Sequence, residues 1–125
     1  MLSAETIRAN VNRYLDLVAR GNADELTALY AENATVEDPV GTDVRRDQAA
    51  IREFYAAIEN LGRGTELLSL KVAGNEAAFL WRFTMTAGDT RSQIEAIDTM
   101  AFNDYGKITS MRAFWSVDDM KLIDG

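Results

Sequence analysis

Apolar side chains at Ile7, Val11, Tyr14, Leu15 and Val18 recur every three or four residues, which places them on one face of an α-helix. Ser3 is positioned to cap that helix, because its hydroxyl can accept from an orphaned N–H of the first turn, and Gly21 supplies a stop. Asn22, followed three residues later by Glu25, is a variant capping box that opens a short second helix with Leu26, Leu29 and Tyr30 on one side. A third helix is expected over about Asp47 to Leu61, with Ile51, Phe54, Tyr55 and Ile58 inward and Gly62 and Gly64 closing it. Tyr14, Tyr30 and Tyr55 thereby fall on the inward faces of three different helices.

Between the second and third helices, Ala34 to Asp38 is short and β-prone and runs into a turn at Pro39 and Gly41. From Thr65 onward the apolar period changes to two. Extended segments are expected over about Thr65–Val72, Glu76–Ala87, Arg91–Asn103 and Lys107–Val117, with hairpin turns at Gly74-Asn75, Gly88-Asp89 and Asp104-Tyr105-Gly106. Alternation puts Ala77, Phe79, Trp81, Phe83 and Met85 on one face of their strand, and Met111, Ala113, Trp115 and Val117 on one face of the last. An α+β architecture follows, with helices on one face of an antiparallel sheet. Large aromatics on a concave sheet leave room for an apolar cavity. With no repeat, low-complexity tract or linker, residues 1–125 read as a single domain.

Composition narrows the chemistry. The chain has 125 residues, 47% of them hydrophobic, enough for a core that buries roughly two-thirds of the unfolded surface without staples. It contains no cysteine and no histidine, which removes disulfides, thiolate nucleophiles, imidazole metal sites and any triad with a histidine base. Proton transfer must fall to carboxylates, lysine or tyrosine. A net charge of -7 repels phosphate backbones and anionic lipid surfaces, so neither nucleic acid nor membrane is an expected partner. No apolar run approaches the roughly 20 residues of a membrane span, and MLSAETIRAN lacks the basic-then-apolar pattern of a secretory signal. A cytoplasmic protein is the expectation.

Three sets of residues are candidates for that proton chemistry. Asp98 shares a strand face with Ile94, Ala96, Met100 and Phe102, and a carboxylate in an apolar row either finds a partner or stays protonated. A partner at Arg82 or Arg112, or a register shift, is the structural alternative. Asp38 precedes the chain's one proline, which restricts it to extended backbone and removes a neighbouring N–H, conditions that suit a base but also an ordinary Asp-Pro turn. The three tyrosines each need a partner once buried and could bond to one another, polarising the terminal hydroxyl; taken singly, each reads first as a core residue. Trp81, Trp115, Met85 and Met111 read first as core.

Taken in order, these residues resemble the Δ5-3-ketosteroid isomerases, within the cone-shaped group that includes nuclear transport factor 2. The resemblance is carried by Arg13-Tyr14, by the run Ala34-Thr35-Val36-Glu37-Asp38-Pro39-Val40-Gly41, by Ile51-Arg52-Glu53-Phe54-Tyr55, by Ile97-Asp98 and by Ser110-Met111-Arg112-Ala113-Phe114-Trp115. It implies three helices packed on a curved, mostly antiparallel sheet around an apolar cavity. It further implies that Asp38 moves a proton while Tyr14 and protonated Asp98 hold a dienolate oxygen, with Tyr55 and Tyr30 buttressing Tyr14. Trp81, Met85, Met111 and Trp115 match the walls of a steroid cavity. The ketosteroid isomerases are themselves the standing example of a carboxylic acid kept neutral so that it can donate a hydrogen bond. A proton carried between two carbons by one carboxylate needs no metal, flavin or nicotinamide, so no cofactor is expected.

The resemblance also implies a homodimer joined through its sheets, and Arg112 and Phe114, facing away from Trp115, are candidates for that surface. Two rival readings remain on the same fold. An epoxide hydrolase would hold a water between carboxylates, and a non-catalytic module would only bind a steroid or other apolar ligand.

Overall fold

The computed structural model describes residues 1–123. Helix α1, Ala4–Arg20, begins where the Ser3 hydroxyl accepts the Thr6 N–H and ends where the Gly21 N–H returns to the Leu17 carbonyl. A Cβ on Gly21 would sit 2.9 Å from atoms of Leu17, so close approach demands glycine there. Burial of Ile7, Val11, Tyr14, Leu15 and Val18 follows the expected period. Helix α2, Ala23–Thr27, carries a complete capping box: Asn22 Oδ1 accepts the Glu25 N–H at 2.8 Å and Glu25 Oε1 accepts the Asn22 N–H at 3.0 Å. Five residues are too few for a self-supporting helix, so its caps and the fully buried Leu26 hold it.

Tyr30 departs from the sequence reading. It does not continue α2 but opens strand β1, Tyr30–Glu37, which starts four residues earlier than expected and ends one residue before Asp38. Pairing overrides local preference: Tyr30 lies opposite Ile108, and the Ile108 N–H donates to the Leu29 carbonyl at 2.9 Å. Helix α3, Gln48–Ala56, is capped by Asp47 Oδ1 accepting the Ala50 N–H at 2.7 Å. It stops well short of Leu61. Gly62 and Gly64 do not close it but open strand β2, Gly62–Ala73, where Gly62 pairs with Thr86.

Strands β3, Glu76–Ala87, β4, Thr90–Phe102, and β5, Ile108–Phe114, complete a sheet in the order β1-β5-β4-β3-β2. Gly74, Gly88 and Gly106 take positive φ of 56°, 62° and 82° in the turns between them, a region open to glycine at no steric cost. Among the described residues only β1 and β5 pair in parallel. The expected strand to Val117 ends at Phe114, and Val117, 80% exposed rather than inward, begins a one-turn 3-10 helix, Val117–Asp119. A sixth strand absent from the sequence reading, β6, Met120–Ile123, pairs with Arg91–Ile94 of β4. The sheet stays open, with α1 packed against β2 and α2 against α3. Among the described residues no helix is long and apolar enough to cross a membrane.

Candidate active site

A cavity of about 240 Å³ opens among α1, α3, β3, β4 and the segment after β5. Val18, Phe54, Ile58, Phe83 and Met85 give it apolar walls, and its polar lining is confined to Asp38, Asp98, two tyrosines and two indoles. The period-two pattern of β4 delivers Ile94, Ala96 and Asp98 to it on one face, while Met100 and Phe102 continue that face into the core.

Asp98 is 0% exposed, and neither carboxyl oxygen has a hydrogen-bond partner among the described residues. Neither Arg82 nor Arg112 is its partner, and the β3–β4 register runs unbroken through Asp98. Arg82 pairs with Glu66 at 3.0 Å and Glu95 at 3.2 Å, and Arg112 pairs with Glu37 at 2.9 Å. Burial raises the Asp98 pKa well above the usual carboxylate range; the nearby Trp81 indole works against that and the Asp38 charge adds to it. The indole is close enough to act on the carboxyl, although no bond of normal geometry joins them.

The tyrosines, expected on three helices, converge from α1, β1 and α3. Tyr55 donates to the Tyr14 oxygen at 3.3 Å, and the Tyr30 and Tyr55 oxygens lie 2.6 Å apart. A phenol has one proton to give. Since Tyr55 spends its proton on Tyr14, Tyr30 must donate to Tyr55, and the Tyr14 proton is left for an acceptor in the cavity. Burial pushes all three pKa values well up, so these groups are hydrogen-bond donors rather than phenolates.

Asp38 lies just past β1, before a cis bond to Pro39. Its neighbours' N–H groups point elsewhere: Val40 donates to the Ala113 carbonyl at 2.8 Å and Gly41 to Glu37 Oε2 at 3.1 Å. The Trp115 indole N–H donates to Asp38 Oδ1 at 2.7 Å. Burial raises the Asp38 pKa, and the Trp115 bond and the Arg45 charge hold the rise back. Arg45 is in turn seated over the Phe54 ring at 4.4 Å and bridged to Val36 through its backbone.

The structure therefore brings Asp38, Tyr14, Asp98, Tyr55, Trp81, Met85 and Trp115 to one cavity, with Tyr30 directly behind Tyr55. Met111, expected as wall, is instead fully buried in the core, because its strand face turns from cavity to interior along β5. Sequence reasoning passed over Arg45, which carries no motif, and Met120, which reaches the cavity through the unforeseen β6. It also took Trp115 as wall alone. A signal for its second role existed: an indole can only donate, and a cavity with two carboxyls offers acceptors.

Residues 11–111 match the SnoaL-like domain family. The chain is 50% identical over 119 residues to the steroid Delta-isomerase of Nocardioides simplex, covering 95% of this chain and 96% of that one. The chain belongs to the steroid Δ-isomerase family. Among solved structures, this family member is similar to the epoxide hydrolase/cyclase-like enzyme SalBIII, of pyran ring formation in the polyether salinomycin, at 32% identity. That match has a TM-score of 0.89 and covers 98% of this chain and all of the other. A Mycobacterium tuberculosis protein, 19% identical with a TM-score of 0.88 and the same coverage, shares the fold. The fold is thus the α+β arrangement of nuclear transport factor 2-like proteins, three helices on an open six-stranded sheet.

Proposed function

We propose that the chain is a cofactor-independent steroid isomerase that moves a Δ5 double bond to Δ4, into conjugation with a 3-ketone. The observation that carries this reading is an apolar cavity in which Asp38 faces two donors that stay protonated, Tyr14 and Asp98. Asp38 takes a proton from the carbon between ketone and double bond, and the electron pair moves onto the ketone oxygen to give a dienolate. The same proton returns two carbons away, on the far end of the old double bond, so nothing is gained or lost.

Each part answers a physical need of that step. The ketone oxygen acquires charge in a site with little water to solvate it, and fixed neutral donors are worth about 2.7–4 kcal/mol each there. Burial lifts Asp38 toward the operating pH, where a carboxylate is a better base, while the indole bond keeps it ionised. The 50% identity to a named steroid Delta-isomerase supports the substrate class. In the assay, protein is mixed with a 5-ene-3-ketosteroid and the ultraviolet absorption of the conjugated enone is followed. Prompt growth of that band is expected, and no growth above the buffer rate overturns the proposal.

Two carboxyls in one cavity also suit acid-assisted opening of an epoxide, the chemistry named for SalBIII. The walls weigh against it, since water activation needs polar groups that Phe83, Met85 and Ile94 do not supply. Incubation with an epoxide in the same series decides between them by whether a diol or ether accumulates.

A further inference from the structure

Three polar atoms of the cavity wall are buried without a partner among the described residues: both oxygens of Asp98 and the indole nitrogen of Trp81. Such atoms are uncommon, and finding a donor and an acceptor group unpaired side by side calls for a reason. The two residues lie on neighbouring strands. Trp81 of β3 sits opposite Ala96 and Asp98 of β4 opposite Phe79, which makes Trp81 and Asp98 diagonal partners on one face, within reach for an aromatic side chain. Trp81 is 6% exposed, held edge-on against Tyr14 and tilted against Phe79 and Phe83, so its ring has little freedom to turn toward another acceptor.

We infer that Trp81 is a positioning residue for Asp98: when a ligand fills the cavity, the indole N–H donates to the Asp98 oxygen that lacks the proton, so the acid's O–H is aimed at the ligand oxygen beside the Tyr14 hydroxyl. The inference rests on the isomerase reading for its kinetic consequence but on the geometry for its placement. The direction follows from chemistry. An indole N–H can only donate, and the carbonyl oxygen of a protonated carboxyl is a better acceptor than its hydroxyl oxygen, so the favoured bond runs from Trp81 to the oxygen that lacks the proton. That bond settles which Asp98 oxygen keeps the proton. It also draws electron density from the O–H, which strengthens the donor offered to the ligand. An unpaired carboxyl would divide its population between two orientations, one of them useless.

Trp81→Phe keeps an aromatic wall and removes the N–H together with the pyrrole part of the indole, so comparison of the double variants separates the lost donor from the lost volume. The substitution should lower kcat about five- to tenfold with little change in KM, the size of one hydrogen bond. In an Asp98→Leu background the same substitution should cost nothing further, whereas in Asp98→Asn, whose amide oxygen still accepts, the loss should persist. Equal losses in all three backgrounds would mean packing alone and overturn the inference. Two readouts are independent of turnover. The Asp98 carbonyl stretch, isolated by infrared difference against Asp98→Asn with a steroidal phenol bound, should move to higher frequency in Trp81→Phe as its hydrogen bond is lost. The Trp81 indole proton of the otherwise unaltered protein should shift downfield on adding that phenol, and not in Asp98→Leu. An unmoved carbonyl band, or an indole signal indifferent to Asp98, sinks the inference even if the protein isomerises steroids. A parent protein that leaves the 5-ene-3-ketosteroid untouched removes the isomerase reading, while these two spectra still decide the Trp81–Asp98 bond.

Discussion

The Trp115 indole nitrogen lies 2.7 Å from Asp38 Oδ1 and gives that carboxylate a charge-assisted hydrogen bond inside an otherwise apolar wall. The bond stabilises the ionised form of Asp38, so it opposes the rise that burial imposes on the pKa. Trp115→Phe should therefore raise the Asp38 pKa. In the proposed mechanism Asp38 works only when ionised, so the acid limb of kcat/KM against pH should move upward, by about one unit if the bond is of ordinary charged strength. An acid limb unchanged in the variant would separate the indole from the base.

Asp38→Asn should lower kcat by a factor on the order of 10³ or more, because an amide does not accept the proton, while KM changes little. The neutral amide also resembles the protonated base that would accompany the dienolate in the proposed reaction. Affinity for a steroidal phenol, measured by calorimetric titration, should consequently rise in this variant, as repulsion between Asp38 and an anionic oxygen disappears.

The direction of the tyrosine chain sets an order of effects. Tyr14→Phe removes the donor that faces the cavity and should cost about 10²- to 10³-fold in kcat. Tyr55→Phe and then Tyr30→Phe, each one bond further back, should cost successively less, about tenfold or below. Steady-state kinetics of the three variants test this. Equal small losses would reduce the tyrosines to core packing.

Asp98 ties stability to pH. Its folded pKa lies above its unfolded one, so between about pH 4 and the folded value the native state holds a proton that the unfolded chain has released. Stability should therefore fall across that window as pH rises, at a limiting slope of about 1.4 kcal/mol per pH unit for the one group. Glu37 and Asp104 are shifted downward and contribute with the opposite sign, whereas Asp38 adds to the fall. Urea denaturation of parent and Asp98→Asn across pH isolates the group: the variant should gain relative to the parent as pH rises. Parallel curves would mean that Asp98 ionises as readily folded as unfolded. In turnover, Asp98→Leu should be more damaging than Asp98→Asn, which retains a donor.

Much of this was legible in the chain because local rules and packing agree there. Ser3 and Asn22 cap helices, and the alternation through Ile94, Ala96 and Asp98 forecast a lone acid on an apolar face. Where the forecast failed, a distant partner decided. Tyr30 has helical company in sequence but is claimed by Ile108, and Gly62 leaves α3 to pair with Thr86. Short β6 has too few residues for a period, and only its pairing with Arg91–Ile94 makes it a strand. Two site features shared that dependence: the Arg45 charge and the Trp115 bond both come from outside the Ala34–Gly41 run that marked Asp38.

The parallel pairing of β1 with β5 has a consequence for how the site comes into being. Both strands leave the sheet in the same direction, so Asp38 and Trp115 emerge side by side although 77 residues separate them. Closing a loop of that length costs on the order of 4 kcal/mol of chain entropy before any contact repays it. During synthesis, Tyr14, Asp38 and Tyr55 are all made before β5 exists to receive β1, and the base then has no indole to fix it. The Asp38–Trp115 contact is thus assembled last, after every other polar group of the cavity has already been added to the chain.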